Sequence, residues 1–320
     1  MEFILAAGLL IAGFYLVIKG ADFLVRGSSS LAKRLNVREI AIGLTLIAFG
    51  TSLPETFVNI ISSISNQNDI VFGNIIGSNI FNILAILGIA GMLIPIAVNK
   101  NTLFKEIPFS LFAALLLFLA VNDSIIFDLG KNELSRFDGA VFMVFFIVFL
   151  LYVFRISKDK TKHVSHAKLL PVSTTAIYII AGFFALFAGA KLVVDSSVAI
   201  AAFFGVSKKL IALTIVAAGT SLPELATSAV AAYKKKYELA MGNIVGSNIF
   251  NIFFILGISS FIRPAAYNQI MNIDILVLVF SSLFLFFAVY SQKDKKLHKL
   301  YSFLFLVLYI SYVIYLFYRG

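Results

Sequence analysis

Gly50-Thr51-Ser52-Leu53-Pro54-Glu55 lies inside a long apolar run, residues 40–64, and the same six residues return as Gly219-Thr220-Ser221-Leu222-Pro223-Glu224 inside a second, residues 210–232. A carboxylate in hydrocarbon costs about 3 kcal/mol on insertion scales, so an intramembrane glutamate reads first as functional. Two of them, each in an identical polar hexad, tie the question of fold to the question of function.

The rest of the composition places those runs in a membrane. Of 320 residues, 60% are hydrophobic and 13% charged, and the mean hydropathy is +0.98. Soluble domains are about 45–50% apolar. The apolar stretches are continuous and often near the ~20 residues that cross a bilayer as helix, unlike the short alternating segments of a barrel. The expectation is an all-α polytopic membrane protein with ten transmembrane helices, roughly at 3–25, 39–64, 70–94, 107–121, 137–154, 172–198, 209–232, 239–262, 273–290 and 299–318. The N-terminus lacks a basic stretch and a cleavage site, so it reads as the start of a retained helix. With no cysteine, disulfides and thiolate metal sites are excluded. The net charge of +10 reads as loop lysine and arginine rather than a nucleic-acid surface.

The chain is written twice. An offset of 169 aligns Gly20 with Gly189, Val37 with Val206, Gly50 with Gly219, Asn82 with Asn251 and Pro95 with Pro264, with no insertion between them. The first five-helix repeat is residues 1–156, the polar linker 157–168, and the second repeat 169–320. An odd number of spans per copy turns the second copy upside down. Inverted repeats are the mark of secondary transporters, whose site lies at the midplane where the repeats meet. Linkers after the odd-numbered spans carry eighteen lysines and arginines against six on the other face. That asymmetry predicts both termini outside a plasma (inner) membrane and the 157–168 linker in the cytoplasm.

Within helix 2, Thr51 and Ser52 stand four and three residues before Glu55, on one helical face. Pro54 lacks an N–H and breaks the ladder, which should free main-chain oxygens near Ala48 to Thr51. Such oxygens are tolerated in a membrane only when they are buried or face a polar cavity. Ala217, Thr220, Ser221 and Glu224 repeat the pattern. The following helix carries Gly73-Asn74-Ile75-Ile76-Gly77-Ser78-Asn79-Ile80-Phe81-Asn82, which recurs at 242–251 with one change. Asn74, Ser78 and Asn82 form a stripe, and Gly73 and Gly77 have the spacing that lets membrane helices approach closely. The donor set, with Ser247 and Asn251, is all oxygen. It suits hard cations such as Ca²⁺, Na⁺ or Mg²⁺ and not zinc or copper. For Asn79 and Asn248, interhelical packing and ligation weigh equally. No nucleophile–base pair accompanies the carboxylates, so the chain does not read as an enzyme, and no cofactor is called for.

On these hexads and Gly-Asn stretches the chain resembles the calcium/cation antiporter superfamily, over roughly residues 20–95 and 189–264, and looks most like its sodium/calcium exchanger branch. The resemblance implies alternating access by sliding of helices 1 and 6. It also implies Ca²⁺ held between Glu55 and Glu224 with flanking Na⁺ sites. Ligands would come from Ala48, Thr51, Glu55, Ser78 and Asn82 together with Ala217, Thr220, Ser221, Glu224, Ser247 and Asn251; Ser52 joins them from the hexad itself. Gly-Thr stands where proton-coupled relatives usually carry Gly-Asn. Asn251 stands where potassium-dependent relatives carry aspartate. The expected partners are Ca²⁺, Na⁺ and the lipid bilayer, with the chain acting as a monomer. Proton- or magnesium-coupled exchange on the same scaffold is the alternative, and a cation channel a third reading.

Overall fold

A computed structural model describes residues 2–123, 132–157, 169–205 and 217–319. Eight helices in this part are long and apolar enough to cross a membrane: α1 (Glu2–Leu35), α4 (Asn68–Leu93), α5 (Thr102–Ala120), α6 (Arg136–Ser157), α7 (Val172–Phe203), α10 (Tyr237–Ile262), α11 (Gln269–Tyr290) and α12 (Lys299–Arg319). A ninth span is the bent pair α2 (Glu39–Thr51) and α3 (Leu53–Ile64), which meet at 48°. Of the expected seventh span only α8 (Ala217–Gly219) and α9 (Leu222–Tyr233) are described. Residues 206–216, and 158–168 of the linker, lie outside the described residues.

The bend falls where the hexad places it, with one difference. Pro54 stands in the first turn of α3, where its missing N–H costs nothing, and the break is at Ser52 (φ −84°, ψ 11°). Ser221 breaks the second copy in the same way (φ −91°, ψ 8°). Contrary to the expectation of freed main-chain oxygens, the Ala48 carbonyl is not bare. It accepts the Ser52 N–H at 3.1 Å and the Ser247 hydroxyl at 3.5 Å.

Helices α4 and α10 form the centre. Every residue from Leu239 to Ile249 is buried, as expected for a helix surrounded by protein on all sides. Both centres widen into a π-helical stretch at the end of the polar stripe, at Phe81–Ile86 and Phe250–Leu256. Such bulges concentrate at functional sites, and here they carry Asn82 and Asn251. The glycine spacing performs as expected in the second repeat: a Cβ on Gly242 would lie 2.9 Å from the Gly43 Cα. Outside this centre, α1 and α7 run antiparallel in backbone contact, where a Cβ on Gly20 would lie 2.9 Å from the Gly182 carbonyl oxygen. Large apolar side chains such as Ile4, Ile11, Ile180 and Phe184 point outward.

Four two-residue strands were not anticipated. β1 (Ile96–Ala97) pairs antiparallel with β4 (Lys296–Leu297), and β2 (Glu133–Leu134) with β3 (Ala265–Ala266). β1 and β3 follow Pro95 and Pro264, where the residue before each proline is extended, and each tethers the end of a central helix to a distant linker.

Candidate cation site

Glu55 and Glu224 both lie in the core, each 1% exposed. Each hexad serves the other's carboxylate. The Ser221 hydroxyl donates to Glu55 Oε1 at 2.9 Å, and the Ser52 hydroxyl donates to Glu224 Oε1 at 3.0 Å. Shared helical faces within one hexad suggested a local Ser–Glu pairing, but the bend at each serine turns it toward the opposite repeat. Ser78 adds a longer contact to Glu55 Oε1 at 3.4 Å. Ser247, its copy, reaches the Ala48 carbonyl instead.

The polar stripe binds the hexads to the central helices. Asn74 Nδ2 donates to the Glu55 main-chain oxygen at 3.2 Å and to Asn59 Oδ1 at 2.6 Å. Asn243 Nδ2 donates to the Glu224 main-chain oxygen at 3.4 Å and to the Ser228 hydroxyl at 2.9 Å. Asn59 and Ser228 were not singled out by sequence reasoning. Their signal was available: each stands four residues after its glutamate, at the same offset of 169. Between α4 and α10, four asparagine amides interlock. Asn82 Nδ2 donates to Asn248 Oδ1, and Asn251 Nδ2 donates to Asn79 Oδ1, both at 2.9 Å.

The threonines differ. The Thr51 hydroxyl donates to the Ile47 carbonyl or to Asn243 Oδ1, each 3.0 Å away. The Thr220 hydroxyl is enclosed beside the Glu55 carboxylate without a hydrogen bond of good geometry. The Ala217 side chain lies outside the described residues.

Five buried oxygens of expected ligands are left without a hydrogen-bond partner: Glu55 Oε2, Glu224 Oε2, Asn82 Oδ1, Asn251 Oδ1 and Thr220 Oγ1. Buried polar atoms are normally satisfied, and a buried carboxylate oxygen without a partner is costly. Four of the five can only accept, and the fifth carries lone pairs as well. The donor chemistry of such a set suits a hard cation. Among the described residues no three or more histidines, cysteines, aspartates and glutamates cluster as a metal centre would need.

Acceptors of this kind, buried between two like repeats of a polytopic protein, belong to an integral membrane cation exchanger. The chain is a member of the sodium/calcium exchanger family, whose model (Sodium/calcium exchanger protein) matches residues 5–155 and 174–318. It is 34% identical over 297 residues to inner membrane protein YrbG of Escherichia coli (strain K12), covering 88% of each chain. It is 29% identical over 343 residues to sodium/calcium exchanger MaX1 of Methanosarcina acetivorans, covering 97% of this chain and 98% of that one. Its fold matches a solved structure of the sodium-calcium exchanger NCX_Mj with a TM-score of 0.83 at 32% identity, covering 98% of this chain and 99% of that chain.

Proposed function

We propose that the protein is a secondary antiporter that exchanges Na⁺ for Ca²⁺ by alternating access, with Ca²⁺ held between Glu55 and Glu224. The unpartnered buried oxygens carry this reading. Glu55 and Glu224 supply −2, which one Ca²⁺ or two Na⁺ would neutralise. Thr220, Asn82 and Asn251 add neutral oxygens, and Ca²⁺ takes about 6–8 in all. Thr51, Ser52, Ser78, Ser221, Ser247, Ala48 and Ala217 complete the candidate set, either as ligands or by holding the carboxylates in place. The reading includes ten helices as two inverted repeats, a plasma-membrane location with both termini outside, and function as a monomer. The names of the relatives support transport over catalysis.

Reconstituted vesicles test it. An outward Na⁺ gradient should drive ⁴⁵Ca²⁺ uptake without potassium and with little response to a pH gradient. Uptake driven by protons in sodium-free buffer would make this a proton-coupled exchanger, and calcium flux without any counter-ion gradient would make it a channel. If more than two Na⁺ move per Ca²⁺, the excess charge should feel about 2.3 kcal/mol per 100 mV. Clamping the potential reads that directly.

A further inference from the structure

Asn79 and Asn248 are asparagines of the central helices that stand outside the candidate ligand set. Both are buried, and their hydrogen bonds form a closed pattern across the repeats. Asn79 Nδ2 donates to the Asn248 main-chain oxygen at 3.2 Å, and Asn248 Nδ2 donates to the Asn79 main-chain oxygen at 3.4 Å. A main-chain carbonyl can only accept, so each amide has to turn its nitrogen toward the partner's backbone. The side-chain oxygen of each is then fixed on the opposite side. There Asn79 Oδ1 accepts from Asn251 Nδ2 and Asn248 Oδ1 accepts from Asn82 Nδ2, each at 2.9 Å. Two backbone carbonyls, which cannot flip, thus set the direction of all four amides. The end of the chain of donors is the informative part: Asn82 Oδ1 and Asn251 Oδ1 are left buried and without a partner.

We propose that Asn79 and Asn248 are positioning residues that hold the amides of Asn251 and Asn82 with nitrogen turned away and oxygen turned to the transported cation. An asparagine that could flip would present two N–H groups to the ion for part of the time, and each flip would replace a ligand by a repulsive dipole. Each repeat therefore contributes one asparagine to the site and one that aims the ligand of the other repeat. The same lock specifies an amide at these places. An aspartate at position 251 would set a second oxygen against Asn79 Oδ1, and Asn79 could not turn to meet it without facing the Asn248 carbonyl oxygen with its own. This inference rests on the reading of Asn82 and Asn251 as ligands of an exchanger.

A carboxylate has two equivalent oxygens and needs no aiming, which supplies the test. Sodium-driven ⁴⁵Ca²⁺ uptake is measured for the wild-type protein, Asn79→Ala, Asn251→Asp and the double variant, with KM and kcat separated. Asn79→Ala alone should raise the KM for Ca²⁺ about fivefold or more, the equivalent of one oriented hydrogen bond, with kcat changed less. In the Asn251→Asp background the same change should leave KM unaltered or lower it, because it removes an opposing oxygen. Equal factors in the two backgrounds, or no effect in the first, overturn the proposal, since a residue that only packs costs the same in both. The mirror cycle, Asn248→Ala with Asn82→Asp, repeats the test should Asn79→Ala fail to fold. A wild-type protein without sodium-driven calcium uptake would reject the exchanger reading and this inference with it, whereas equal factors in an active protein reject the positioning role alone.

Discussion

The two repeats carry the same hexad, yet they sit in different surroundings. Beside Thr220, a cavity of about 320 Å³ is lined by Leu53, Phe57, Val194 and Pro223, with Lys191 and Asp195 also on its wall. Asn74, on the neighbouring central helix, is half-buried, and Gly73 is exposed. Around the other hexad three of the equivalent positions are closed: Thr51 and Asn243 are 0% exposed, and Val25, the counterpart of Val194, is 1%. Near-identical sequence thus stands in unlike surroundings in the two repeats. The difference lies in what surrounds the hexads. Over the sealed side, Asp22 of α1 pairs with Lys234 at the end of α9. Behind it Arg38 pairs with Glu238 at 2.7 Å and Lys236 with Glu39 at 2.8 Å. At the offset of 169, Lys234 and Lys236 correspond to Ser65 and Gln67, and Asp22 corresponds to Lys191, so the open side cannot form the same pairs. Under the proposed alternating access, these pairs would act as a lock on one side only.

Three changes bear on this comparison. The largest effect should come from the carboxylates, where the halves ought to behave alike. Glu55→Gln and Glu224→Gln should each reduce sodium-driven calcium uptake by about 100-fold or more while the protein remains folded, because each removes half of the charge facing the cation and leaves the other half buried. Retention of normal uptake by one variant would show that the two hexads are not equivalent ligands, and uptake assays on both decide it.

An intermediate effect should come from the lock. The chain has no cysteine, so single cysteines report access cleanly. Val194→Cys should react readily with a membrane-impermeant thiol reagent, and Val25→Cys should be protected. Lys234→Ala should speed labelling of Val25→Cys up to about fivefold, within the ~1 kcal/mol typical of a partly exposed pair. Exchanging the charges, Asp22→Lys with Lys234→Asp, should restore protection. Unchanged labelling in Lys234→Ala would mean that helix packing alone seals that side.

How much of this the sequence disclosed follows from the range of the forces involved. The spans, the hexads and the central stripe are local patterns, and the offset of 169 exposed their duplication without any structure. The bend at Pro54 follows from proline's missing donor, although its position at Ser52 depends on which residue the first turn of α3 begins with. Ser52 with Glu224 and Ser221 with Glu55 could not be read, since residues three apart on one helix suggest a local pair and only the bend sends each serine to the other repeat. Nor could the lock be read: Asp22 and Lys234 are 212 positions apart, and as isolated letters they look like interfacial charges. The role of Asn79 was balanced between packing and ligation because the direction of an amide depends on partners in the other repeat.

The smallest of the expected effects tests that crossed pairing. Ser52→Ala and Ser221→Ala should each raise the KM for Ca²⁺ by about fivefold to tenfold, the value of one hydrogen bond to a charged group. Each serine variant should be nearly silent when the carboxylate of the other hexad is already glutamine, and additive with glutamine at its own hexad. Kinetics of the double variants would reveal the opposite pattern if the pairing were local.

The central claim, that one cation sits between two carboxylates contributed by two repeats, is met most directly by equilibrium binding. Calorimetric titration of purified protein with Ca²⁺ in sodium-free buffer should give one site per chain, with Na⁺ but not K⁺ displacing the bound ion, and Glu55→Gln and Glu224→Gln should each abolish the signal. Wild-type calcium binding in either variant would contradict the account.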